Sequence, residues 1–236
     1  MRPVVFLPGL LCDAQLWEPQ VDGLRGRIRP WVADLGRDDT MADMARRVLA
    51  EAPFERFALC GLSMGGYVAL EVMRQAPERV ERLALLDTQA VSETPEARER
   101  RLALIALAER GKFPQVIERL LPLELYAPRL ADAALVGVIK SMARNVGQEA
   151  YLRQQRAIMI RPDSTASLRG IACPTLILCG EHDQLTPRAR HEEMAAAVPG
   201  ATLVVLAECG HMSTLERPAE TNRALAGWLG TDVPAG

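Results

Sequence analysis

The chain has 236 residues, 49% of them hydrophobic and 25% charged, with 17 Gly and 16 Pro. This is the profile of an ordinary folded domain and excludes a disordered or fibrous chain. Its 28 basic and 30 acidic residues give a net charge of −2 with no block of one sign, so the basic footprint of a nucleic-acid binder is absent.

At the N-terminus, a short apolar stretch is broken by Pro8-Gly9 and has no small-residue cleavage site, so it does not read as a secretion signal. No run approaches 18 apolar residues, and no membrane partner is expected. The five cysteines (12, 60, 173, 179 and 209) are odd in number, lie mostly in apolar runs and lack C-x-x-C spacing. They read as reduced thiols of a cytoplasmic protein, with no disulfide framework and no metal site.

In chain order, apolar runs at 4–7, 31–35, 57–60, 83–86, 175–179 and 202–206 are expected to be strands. Most lack polar alternation, the mark of strands covered on both faces. Helical spacing falls between them, at 41–52, 64–75, 188–197 and 218–229. Alternating strand and helix predicts an α/β fold with a mostly parallel sheet of about six strands. The alternation fails once. From 92 to 165 only helical spacing appears, over 95–112, 114–121, 130–145 and 148–160, punctuated by Gly111, Pro122, Pro128, Gly147 and Pro162. A strand-free block of that length is too long for a loop. The expected organisation is a core of residues 1–89 and 170–236 with a helical cap, 90–169, inserted in it. The terminal TDVPAG reads as a frayed tail.

Gly61-Leu62-Ser63-Met64-Gly65-Gly66 is a G-x-S-x-G motif between an expected strand and an expected helix. A serine on so sharp a turn has a strained backbone, and bulk two residues to either side would strike neighbouring backbone. The turn also aims the helix N-terminus at the place where an oxyanion would develop. The serine needs a base oriented by a carboxylate. Three histidines are available. His191 lies in a charged helix and reads as a surface residue. His182 and His211 both follow strands, where ligands gather in open α/β sheets. His211, behind a glycine on its own loop, is preferred. For the acid, Asp183 follows the strand before the last, Asp87 ends an earlier strand, and Glu181 is a weaker third. Asp183 gives the chain order Ser, Asp, His; Asp87 is expected to cap a loop or line the pocket.

These motifs resemble those of the α/β-hydrolase superfamily, and among its members the small bacterial carboxylesterases of the pimeloyl-ester type. The resemblance spans essentially the whole chain: Val4-Val5-Phe6-Leu7-Pro8-Gly9-Leu10 with Asp13 and Trp17, then the Ser63 motif, Gly180-x-x-Asp183-x-x-x-Pro187, and Gly210-His211 with Glu216-Arg217-Pro218. It implies an α/β-hydrolase fold lacking the family's first two antiparallel strands. It further implies a Ser63–His211–Asp183 triad, oxyanion donors on the backbone of Leu10 and Met64, a small-molecule ester substrate and no cofactor. Leu11, Asp87 and Trp17 are candidates for lining the pocket. Pro8 stands where the family usually has histidine before the glycine, which implies a local rearrangement of loop hydrogen bonds. Thioesterase, lactonase, carbon–carbon hydrolase and perhydrolase chemistry share this constellation, as does a non-catalytic ligand receptor on the same scaffold. The low aromatic count predicts an aliphatic chamber. Arg153, Arg156 and Arg161 are noted as residues able to meet a substrate carboxylate.

Overall fold

The computed structural model describes residues 1–230; the expectation for the TDVPAG tail lies outside them. The elements are β1 (Arg2–Leu7), α1 (Glu18–Gly23), β2 (Ile28–Val32), α2 (Met41–Glu51), β3 (Phe57–Leu62), α3 (Met64–Gln75) and β4 (Val80–Leu86). Then come α4 (Pro95–Leu107), α5 (Phe113–Glu124), α6 (Ala133–Met159), β5 (Thr175–Gly180), α7 (Arg188–Ala197), β6 (Thr202–Leu206), α8 (Ser213–Glu216) and α9 (Pro218–Leu229). The six strands form one sheet in the order β2-β1-β3-β4-β5-β6, and every neighbouring pair is parallel.

Alternate side chains along β1 feed two cores. Val5 and Leu7 pack with Met44, Val68 and Met194 of α2, α3 and α7. Val4 and Phe6 pack with Trp17, Leu225 and Trp228 on the opposite face, where α9 lies. Burial on both faces explains why these strands read as unbroken apolar runs. The third core belongs to the helices between β4 and β5 and is built on Val116, Leu120, Ala143 and Tyr151. Within that stretch the described residues form α4 to α6 and no strand.

Two local expectations are corrected. The edge strand is Ile28–Val32, not 31–35: it pairs from Arg2↔Ile28 to Phe6↔Val32. Pro30 sits in its middle, tolerable because one side of an edge strand needs no N–H donor, while Ala33 and Leu35 are buried beyond its end, with one further bond from Ala33 N to Phe6 O (3.0 Å). Pro122 does not end a helix but lies in the last turn of α5. The expected break at Gly147 is found: its non-helical backbone (φ 77°, ψ 169°) divides α6 into two helical segments at that point.

The connection from β1 runs outward to β2, and the chain then returns to place β3 on the other side of β1. In an open parallel sheet this reversal opens a crevice at the carboxyl ends of the two central strands. The Pro8–Gly9 turn leaves β1 there, and Ser63 leaves β3.

Candidate active site

Ser63 has φ 55° and ψ −116°, a conformation that costs free energy in a non-glycine residue and is held only by its surroundings. Its amide donates to Leu86 O (2.9 Å), and its carbonyl accepts from Gly66 N (2.9 Å) and Thr88 Oγ1 (2.8 Å). The glycines around it leave no room for a side chain. A Cβ on Gly65 would overlap the Leu7 carbonyl and lie 2.8 Å from Pro8 O; one on Gly61 would lie 2.8 Å from Gly66 N. Met64 opens α3, so its N–H has no acceptor within the helix.

Ser63 Oγ donates to His211 Nε2 (2.8 Å), and His211 Nδ1–H donates to Asp183 Oδ2 (2.8 Å). The carboxylate can only accept, which fixes the proton on Nδ1 and leaves Nε2 free to take one. Asp183 also accepts from Leu185 N (2.8 Å), Thr186 N (2.9 Å) and Thr186 Oγ1 (2.6 Å). Burial alone would raise the Asp183 carboxyl, but the charge and hydrogen bond of His211 with those of Thr186 hold it below its ordinary value. Burial likewise opposes a charge on His211, yet the Asp183 carboxylate, with Asp87 and Glu124 farther off, holds the imidazole above its ordinary value.

The histidine loop is fixed by backbone. His211 N donates to Glu124 O at the end of α5 (2.7 Å). The buried Glu216 carboxylate accepts from Gly210 N (2.9 Å), Met212 N (3.3 Å) and, across the cavity edge, Tyr126 N (2.8 Å). Sequence reasoning saw Glu216 only as part of a motif; its position six residues after a glycine gives no sign of this role.

Asp87 does not line the pocket. Fully buried at the end of β4, it accepts from Gly180 N (3.1 Å) and from Ser213 N and Oγ, tying β5 to the loop after His211. Burial, reinforced by the neighbouring Asp183 charge, pushes its carboxyl up to about 8. His191 is not a surface residue: it is fully buried, its Nε2 accepts from Thr88 N (2.9 Å), and burial pushes its pKa down to about 4. His182 remains at the surface, stacked on Tyr126 at 4.6 Å.

A cavity of about 310 Å³ opens over this constellation, lined by Gly9, Leu10, Ser63, His211 and residues of α4 to α6. Trp17 does not reach it, since it is buried against Phe6 with ring centroids 4.8 Å apart. Leu11 faces a small adjoining pocket with Ile117 and Ile139, which shares Leu10, Leu120 and Glu124 with the main cavity; its φ is positive (59°) and its amide donates to Gln154 Oε1 (3.1 Å). The wall is not the aliphatic chamber expected. Leu104, Leu120, Leu123 and Ile158 share it with Glu93, Arg100, Arg101, Arg119, Glu124 and Gln155. Arg153, Arg156 and Arg161 are absent from it; Arg161 instead is buried against Glu93 and Tyr67. Among the described residues no cluster of three or more His, Cys, Asp or Glu side chains is arranged to hold a metal ion, and no helix is long and apolar enough to cross a membrane.

Residues 4–224 match the family model described as the alpha/beta hydrolase family. A pimeloyl-[acyl-carrier protein] methyl ester esterase of Nitrosomonas europaea is 28% identical, over 92% of this chain and 91% of that protein. The solved structure of a thermophilic esterase from Thermogutta terrifontis superposes with a TM-score of 0.88 at 28% identity, covering 98% of this chain and 90% of the other. The enol-lactonase of Burkholderia xenovorans LB400 gives 0.88 at 25% identity, covering 97% and 91%. The chain belongs to the alpha/beta hydrolase family, whose fold it has, and is an enzyme of the hydrolase class.

Proposed function

From this membership we propose that the chain is a serine hydrolase that cleaves a small carboxylic ester through an acyl-enzyme. The observation that carries the reading is the unbroken relay at the cavity floor, Ser63 Oγ to His211 Nε2 and His211 Nδ1 to Asp183 Oδ2, both 2.8 Å. His211 takes the proton of Ser63 as the oxygen attacks the ester carbonyl. Asp183 holds the tautomer and stabilises the imidazolium, which then protonates the departing alkoxide. The backbone N–H groups of Leu10 and Met64 receive the tetrahedral oxyanion, each contributing about 3–4 kcal/mol as in comparable sites. Water, deprotonated by His211, releases the acid. The residues act as a core of 1–89 and 170–236 that carries the chemistry and a helical segment, 90–169, that roofs the cavity.

The esterase relatives support an ester substrate, and a cavity of this size suits a small one. The test is Ser63→Ala. Hydrolysis of short carboxylic esters is expected to fall by at least about 10³-fold, and covalent labelling by a fluorophosphonate probe to disappear. Labelling that persisted in the variant would overturn the assignment of the nucleophile.

A further inference from the structure

Five acidic residues are buried among the described residues, Glu71, Asp87, Glu124, Asp183 and Glu216, while Glu93, whose side chain is also buried, is paired with Arg101 and Arg161. Four of them have donors. Glu71 meets Arg74 and Gln75, Asp87 meets Gly180 and Ser213, Asp183 meets His211, Leu185 and Thr186, and Glu216 meets three backbone amides. Glu124 has none. It is 8% exposed, it lines the cavity over Ser63, and only its backbone oxygen is engaged, by His211 N. The carboxyl group lies in the electrostatic reach of His211 on one side and of Cys12, next to the Leu10 turn, on the other, with no donor to either oxygen. Burial raises it to about 7.

The oxygens are open to the cavity, so they take their hydrogen bonds from what fills it, and a ligand that displaced water without supplying a donor would leave them unsatisfied at a cost. A bound molecule that brings its own donor avoids that cost. The other charges on the wall do not compete for this position: Arg101 is paired with Glu93 (3.1 Å), and Arg100 and Arg119 are exposed. We infer that Glu124 is a specificity-determining residue whose carboxyl group accepts a hydrogen bond from a hydroxyl or N–H group of the substrate, close to the scissile ester. It disfavours a substrate carboxylate at the same point, which would place two like charges in a low-dielectric cavity. The inference rests on the serine-hydrolase reading of this cavity and adds the class of group that the substrate carries.

Two pairs of esters, each differing by a hydroxyl in place of a methyl, test it. On the alcohol side, 2-hydroxyethyl butyrate is compared with propyl butyrate. On the acyl side, ethyl 3-hydroxybutyrate is compared with ethyl 3-methylbutyrate. Each is measured for kcat/KM and for protection of Ser63 against a fluorophosphonate probe, so that binding is read even where turnover is slow. The native enzyme is expected to favour the hydroxylated member of at least one pair about tenfold or more. Glu124→Leu removes or reverses that preference, and Glu124→Gln, which keeps an acceptor of the same shape, retains part of it. Continued labelling of Ser63 in both variants shows that they are folded. Equal handling of both members by the native enzyme in both pairs would overturn the role of Glu124 and leave the hydrolase reading intact, as would a preference unchanged in Glu124→Leu. Failure of the native enzyme to react with the probe would overturn the hydrolase reading, and this inference with it.

Discussion

Glycines at the carboxyl edge of the sheet and glycines in the helices between β4 and β5 live in opposite surroundings. At the edge, a Cβ on Gly65 would meet the Leu7 and Pro8 carbonyls, one on Gly180 the Cys209 and Gly210 carbonyls, and one on Gly210 the backbone of Leu125 and Tyr126. Between β4 and β5, a Cβ on Gly137 meets nothing within 4 Å; Gly111 and Gly147 also face open space, but their positive φ (74° and 77°) is what requires glycine there. The first region is locked backbone against backbone, and it holds Ser63, Asp183 and His211. The second is shaped by side chains and supplies the cavity roof. Groups placed to a few tenths of an ångström sit where the main chain itself is wedged, whereas the cavity roof has open space beside its glycines.

The contrast can be broken at the locked edge first. Asp183→Asn keeps the size of the side chain but favours the wrong His211 tautomer, and kcat for ester hydrolysis is expected to fall about 10⁴-fold with the circular dichroism spectrum unchanged. A fall below tenfold would mean that the edge positions some other acid. Next in size, Gly65→Ala must push the Leu7 carbonyl aside, and the urea midpoint is expected to drop by an amount equal to about 3 kcal/mol or more. A variant as stable as the parent would show that the elbow is looser than its backbone contacts imply.

A smaller effect lies in the pH profile. Only neutral His211 can accept the Ser63 proton, and Asp183, Asp87 and Glu124 favour its charged form against the pull of burial. The acid limb of kcat/KM therefore falls above the ordinary histidine value of 6.5, and activity is lost as pH drops through it. Glu124→Gln removes one negative charge and moves the limb to lower pH; a shift the other way would contradict the arrangement. The smallest effect belongs to the open region. Gly137 is an exposed residue inside α6, and Gly137→Ala is expected to stabilise by about 1 kcal/mol, raising Tm by a few degrees without changing turnover.

The same division governs what could be read in the sequence. The elbow was legible because steric exclusion there leaves no residue but glycine at 61 and 65, and the loops after β5 and β6 were legible because glycine precedes an acid or a base. The parallel sheet was legible because burial on both faces erases polar alternation. Where tertiary packing overrides local pattern, the reading failed. Ala33 and Leu35 are covered although the strand ladder stops before them, with only Ala33 N still bonded to Phe6 O, and so the apolar pattern carries the expected strand three residues past its end at Val32. His191 sits among Arg188, Arg190, Glu192 and Glu193, a charged sequence that hides the one inward-facing position. Trp17 and Asp87 looked like pocket residues by their neighbours in sequence, but aromatic packing and hydrogen bonds to Ser213 draw them inward. The polar half of the cavity wall was not foreseen, since helical spacing tells which face is buried and not which residues at its margin turn toward a ligand.

Glu216 carries a consequence for any attempt to recombine this enzyme with its relatives. One carboxylate grips Gly210 and Met212 on the base-bearing loop and Tyr126 beyond α5, while His211 N is bonded to Glu124 O in the same short span. A chimaera that imported a foreign 90–169 segment would cut across this seam. The graft would have to bring matching backbone at positions 124 and 126, or the new specificity would arrive with a displaced base.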